Sequence, residues 1–233
     1  MKFLYITLLS VFFLSCQKKT VKVPVNDNPG INEIWDNSRV YILAKTENGK
    51  QIPDLKLGQV MTTTQWLVAV DKHLSMKQLV KPIEKILKKR HKKSIHSKEG
   101  THAYFAYLDS VHKKMAFIDF DSIQLISNFY TSKKYFEKYH KADTKYQKFH
   151  LNVLQNKLVL NDSIYFEQNF SKEQLTDSIW NIIGNKTNEK PNRLYLSFDE
   201  NMNFNRFLNY YTFFKNNPIP KGKLSNKIFI FKP

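Results

Sequence analysis

The chain reads as an α+β protein, and three observations carry that reading. Short apolar runs bounded by turn residues mark strands at 40–44, 65–70, 102–108, 150–154, 157–160, 193–198 and 227–231. Two capping boxes, Ser75 to Gln78 and Ser171 to Gln174, each open a stretch with apolar residues at helical spacing. The third is an internal echo: Leu67 to Val80 and Leu194 to Leu208 share one grammar of buried strand, acidic residue, short turn and amphipathic helix. Asp71 matches Asp199, Leu74 matches Met202, Met76 matches Phe204, Leu79 matches Phe207 and Val80 matches Leu208. The fold expected is two small antiparallel or mixed sheets, or one composite sheet, with helices on one face.

Residues 1–16 read as an export signal. Lys2 precedes an apolar run, Phe3 to Leu14, broken only by Thr7 and Ser10. A spanning helix needs about 20 apolar residues, so this shorter run reads as a secretory signal. It ends in Phe13-Leu14-Ser15-Cys16, which resembles a bacterial lipobox, in which the Cys is lipidated and becomes the first mature residue. The alternative is a plain secretory signal with an incidental Cys. Cys16 is the only cysteine, so the rest of the chain can form no disulfide and no Cys-based metal or nucleophile site. Gln17 to Ser38 is polar and rich in breakers (Pro24, Asn26, Asn28, Pro29, Gly30) and is expected to be a flexible tether, with Trp35 docking it onto the body.

A first half is expected over 39–120. Glu47-Asn48-Gly49-Lys50 is a turn signal after the strand at 40–44. Ser75 and Gln78 cap a helix whose Leu79, Ile83, Ile86 and Leu87 fall on one face, with Leu74 as the staple onto Leu79. Pro82 predicts a kink or a separate first turn. The strand at 102–108 pairs with 114–120 across Asp109 to His112.

Residues 121–148 are expected to be a connector, with Ile123, Leu125, Ile126 and Phe129 on a helix. The second half, 149–233, starts with two strands across Gln155-Asn156. A helix follows from Ser171, stapled by Phe170 and Leu175 and stopped at Gly184. The echoed strand and a helix at 204–215 come next, breakers lie at 216–220, and a final strand spans 227–231.

The order ββ-α-β-α-β over roughly 149–233 resembles the periplasmic domain of the ExbD/TolR family of biopolymer-transport proteins. The residues that carry the resemblance are Leu151 to Leu160, Glu173 to Ile183, Leu196-Ser197-Phe198-Asp199, Phe204 to Phe214 and Ile228 to Phe231. The first half carries part of the pattern, as a degenerate second copy without the counterpart of the helix at 172–183. Family members have an N-terminal membrane helix with an acidic residue for proton-driven transduction, and this chain shows neither. The resemblance therefore implies the part that dimerises and meets periplasmic partners, not the part that handles protons.

The chain carries 37 Lys and Arg against 20 Asp and Glu, a formal net charge of +17. Charge of this size selects partners and says nothing of fold. The densest basic cluster is Lys85, Lys88, Lys89, Arg90, Lys92 and Lys93, with His91 among them. An export signal argues against nucleic acid, so anionic lipid head groups or cell-wall polymers are the partners expected there. The competing reading is a solvated helix end whose cations complement the dipole.

Motifs for chemistry are missing from the sequence. His91, His96 and His102 match no zinc spacing. Asp119-Phe120-Asp121 would put two carboxylates on one side of a strand, without a third ligand in view. There is no Gly-x-Ser-x-Gly, His-Glu-x-x-His or P-loop. Asp71 and Asp199 are more simply turn residues accepting backbone N–H bonds than a carboxylate pair. The expectation is a non-enzymatic, cofactor-free lipoprotein, exported and anchored through Cys16. It meets envelope proteins or a second copy of itself; the alternative is a structural lipoprotein that binds anionic polymer.

Overall fold

The computed structural model describes residues 20–58, 60–92, 98–127, 144–161, 164–167, 172–185 and 190–233. Cys16, Lys93, His96 and the capping box at Ser171 lie outside the described residues. The fold is α+β, with two separate mixed sheets.

The first sheet grows from period-two alternation. In β2 (Asn37–Glu47), Val40 and Ile42 point into the core while Tyr41 and Leu43 lie on the other face, half-buried. Asn48 and Gly49, at φ 49° and 71°, close a tight hairpin onto β3 (Lys50–Lys56). The turn was legible in the sequence, but its second strand was not, because Pro53 and Asp54 disguise it. Pro53 is tolerated because β3 is the edge of the sheet. β4 (Gln65–Val70) runs parallel to β2, and β5 (Ala103–Asp109) parallel to β4. β6 (Lys114–Asp119) pairs antiparallel with the other edge of β5.

Helix α1 (Met76–Arg90) crosses between β4 and β5. Its capping box forms as expected: Ser75 Oγ accepts from Gln78 N–H, and Gln78 Oε1 accepts from Ser75 N–H at 2.9 Å. Pro82 sits inside one continuous helix; the first turn is not separate.

The second sheet has six strands among the described residues. β8 (Gln147–Val153), β9 (Lys157–Leu160) and β10 (Ile164–Glu167) form an antiparallel meander. β11 (Asn192–Asp199) and β12 (Gly222–Phe231) then add in parallel on the other side of β8. Helix α2 (Lys172–Asn185) precedes β11, and α3 (Phe204–Asn216) joins β11 to β12. Gly222 is fixed by contact, since a Cβ there would run into the Asn192 backbone.

Two expectations fail. Residues 124–127 form not a helix but strand β7, parallel to β12. A short apolar run suits either structure, and the open edge of β12 decides it. The chain thus leaves the first sheet after β6 and completes the second. The expected tether is also built into the body from Thr20 onward. Val25–Asn26 forms a short strand, β1, beside the end of β5. The Asn26 side-chain amide donates to Thr212 of α3 and the Asn28 amide donates to Asn26 Oδ1, all three residues being buried. The Tyr107 hydroxyl donates to the Asn28 carbonyl, and burial pushes that phenol up to about 12. Trp35 is not the anchor, being 81% exposed.

Both sheets present their apolar faces to a single core, with helices between them. Phe204 of α3 meets Phe105 of the first sheet edge-on at 5.1 Å, and Phe207 meets Phe198 of the second at 4.8 Å. No helix among the described residues is long and apolar enough to cross a membrane.

Candidate functional site

The two units share one topology. β3-β2-β4-β5 with α1 repeats as β9-β8-β11-β12 with α3. The echoed residues occupy equivalent turns. Asp71 Oδ1 accepts from His73 N–H at 3.0 Å and Asp199 Oδ1 from Asn201 N–H at 2.8 Å. Both carboxylates are buried, and each tightens the turn between its strand and its helix. The same turns carry a return bond, Leu74 N–H to the Asp71 carbonyl and Met202 N–H to the Asp199 carbonyl.

The turns meet across a seam. Ser75 and Asn203, the two helix caps, form an antiparallel bridge. Met76 N–H donates to the Met202 carbonyl and Phe204 N–H to the Leu74 carbonyl, both at 2.8 Å. One residue further in, Lys77 N–H donates to the Glu200 carbonyl at 2.8 Å and Asn205 N–H to the Lys72 carbonyl at 3.2 Å. The third N–H of each helix goes to its own cap, Gln78 to Ser75 Oγ and Arg206 to Asn203 Oδ1. The first N–H groups of a helix ordinarily lack partners. Here each helix start supplies donors to the other unit's turn and receives its carbonyls.

Beside the seam lies an open cleft of about 230 Å³, lined by Lys77, Val80, Lys81, Ser127, Glu200, Ile230 and Lys232. Glu200 is buried, and its carboxylate takes an ion pair from Lys77 Nζ at 2.9 Å. The remaining rim is cationic on an apolar floor. That suits contact with an acidic or carboxylate-bearing surface.

The basic cluster at the end of α1 divides. Lys85, Lys88, Lys89 and Lys92 are exposed. Arg90 is not a surface cation: it is buried, donates to the Thr62 carbonyl at 2.8 Å and to Thr101 Oγ1, and lies 5.5 Å above the Trp66 ring. Burial holds its pKa down, and Asp121 at 3.8 Å works the other way. Arg90 therefore ties the helix end to the loops before β4 and β5.

The acidic pair beside it is equally structural. Asp121 pairs with His91 at 2.9 Å and accepts from Ala103 N–H, while Asp119 pairs with His102 at 3.0 Å. Among the described residues no group of three or more His, Cys, Asp or Glu side chains could hold a metal ion.

One polar pair escaped the sequence. His150 Nε2 and Ser197 Oγ hydrogen-bond between β8 and β11 on the sheet face away from α3. Burial pushes the His150 pKa down to about 3, so its ring is neutral at pH 7. At 1% and 0% exposure neither residue can reach a substrate. The signal that could have found the pair is a polar residue between apolar neighbours in each of two strand runs, His150 between Phe149 and Leu151 and Ser197 between Leu196 and Phe198.

No family model, curated protein or solved structure matches the chain. The class that fold and seam define is a pair of related α+β units within one chain, joined turn to turn.

Proposed function

We propose that the protein is a non-enzymatic lipoprotein of the bacterial envelope, anchored through Cys16, that acts by binding envelope partners. In this reading the chain is a fused pair of units resembling the ExbD/TolR periplasmic domain. The observation that carries it is the reciprocal seam, in which the helix N-termini of the two units satisfy one another as two subunits of a symmetric dimer would. The second unit keeps the order on which the resemblance rests with one strand more, β10, ahead of α2, and the first repeats β8, β9, β11, α3 and β12 as β2, β3, β4, α1 and β5, without β10 and α2. The acidic residues at the seam are engaged structurally, Asp71 and Asp199 in their turns and Glu200 with Lys77.

The test is a pull-down from detergent-solubilised envelope with the anchored protein as bait and Cys16→Ala as control. Recovery of ExbB-like or TonB-like subunits supports the reading. Recovery of cell-wall fragments alone would replace it with the scaffold reading, for which the exposed Lys85, Lys88, Lys89 and Lys92 are the observation in favour.

A further inference from the structure

The docked N-terminal segment fixes which end of the molecule an anchor at Cys16 would hold. Thr20 lines a shallow cleft with Leu43, Ala44, Lys45 and Thr46 of β2 and Asp54 of β3, where the hairpin runs past the end of β4. From there the chain is fastened stepwise: Lys72 N–H donates to the Lys22 carbonyl at 2.8 Å, and Val25 N–H to Asn205 Oδ1 at 2.7 Å. Three residues, Gln17, Lys18 and Lys19, separate Cys16 from Thr20. Four Cα steps span at most about 14 Å. A folded body of this size is about 40–45 Å across, so only its near end comes within reach of the bilayer.

We propose that the β2–β3 hairpin end of the first unit is a membrane-apposed face that contacts anionic phospholipid headgroups, an inference that rests on the anchored reading of Cys16. Its charge fits that surface. Lys45 and Lys56 are matched by Glu47 and Asp54. Lys22 and Lys50 are exposed beyond those pairs, and Lys72 is bonded to Lys22 through the backbone. A leaflet's field decays within about 8 Å at physiological salt, which these lysines can enter. The lysines ending α1 cannot. The helix begins at the seam near Asp71 and runs for about 22 Å over its 15 residues. Its far end is pinned by Arg90 to the loops that open β4 and β5, at the opposite end of the sheet. Two basic surfaces are thereby assigned to different sides: the hairpin end to lipid, and Lys88, Lys89 and Lys92 to whatever lies away from the membrane.

The experiment uses the chain from Cys16 onward, coupled through its only thiol to maleimide-bearing lipid in phosphatidylcholine vesicles with phosphatidylglycerol. Lysine reactivity toward an amine-specific reagent is read by mass spectrometry against the uncoupled chain. Lys22 and Lys50 are expected to lose reactivity several-fold while Lys88, Lys89 and Lys92 keep theirs. A flexible insert of about 20 Gly and Ser residues before Thr20, reaching roughly 25 Å, is expected to restore Lys22 and Lys50. Equal reactivity across all five, or protection at Lys88 to Lys92, would overturn the proposal. Because the anchor is supplied chemically, this result is independent of what the cell does at Cys16. Protein recovered from cells without lipid on Cys16 would overturn the anchored reading instead.

Discussion

Ser75 and Asn203 hold the same place in two copies of one turn and face each other across an antiparallel bridge. Each caps its own helix by accepting a side-chain bond from the third helical N–H. Between them, the two turns exchange four backbone bonds. The seam is therefore one cooperative object built from two helix starts.

The caps should then be coupled. Ser75→Ala or Asn203→Ala alone is expected to cost about 1 kcal/mol, the usual value of a lost N-cap. The double variant should depart from the sum by roughly 0.5 kcal/mol or more, since residues in direct contact are not additive. Urea unfolding of the four chains measures this. Strict additivity would mean that the two helix starts are independent.

Arg90 and its lysine neighbours should separate cleanly. Arg90→Gln removes a buried cation from the Thr62 carbonyl, Thr101 and the Trp66 ring, and is expected to cost about 2–4 kcal/mol. Replacing Lys88, Lys89 and Lys92 together with Gln should leave stability within about 0.5 kcal/mol per site. The same triple change should remove salt-sensitive binding to an anionic polymer. Thermal unfolding with a binding titration at two salt concentrations distinguishes them; a lysine triple as unstable as Arg90→Gln would contradict the division.

Much of this was legible in the sequence because local signals and tertiary structure agree. The Ser75 capping box, the Asn48-Gly49 turn and the match of Asp71 to Asp199 each report a backbone need that side chains meet within a few residues. What escaped was decided at a distance. Residues 124–127 became a strand because β12 offers an edge. Asn26 and Asn28, polar enough to suggest a tether, are held by Thr212 across the fold. Arg90 looks like its neighbours in a basic run, and the Thr62 carbonyl, Thr101 and the Trp66 ring, all distant in sequence, hold it inward. The seam bonds link residues far apart in the chain, and the echo of 67–80 in 195–208 was their one trace.

The docked N-terminal segment yields a prediction at Gly30. A Cβ there would collide with the Tyr107 hydroxyl and the Phe117 carbonyl. Gly30→Ala is therefore expected to cost about 1–3 kcal/mol, in the range of overpacking, and to loosen the segment before it. Trypsin should then cut at Lys22 faster than in the parent chain, while cleavage at the exposed Lys157 is unchanged. An equal rate at Lys22 would show that the segment is not held through Gly30.

His150 sets the response to acid. Its folded pKa is pushed down to about 3 by burial, against about 6.5 for a free histidine. Between those values the unfolded chain binds the proton and the folded chain does not. This contribution to stability is complete above pH 6.5 and falls by roughly 1.4 kcal/mol per pH unit as pH drops toward 3. At pH 5 the loss is about 2 kcal/mol by the same relation. Asp109, held below its ordinary value by His112, adds an acid loss that begins only near the carboxylate range. His150→Gln keeps a polar partner for Ser197 and removes the titration. Its urea midpoint should change less between pH 7.5 and pH 5 than that of the parent chain, even if it is lower at pH 7.5. Parallel losses in the two chains would place the acid sensitivity elsewhere in the fold.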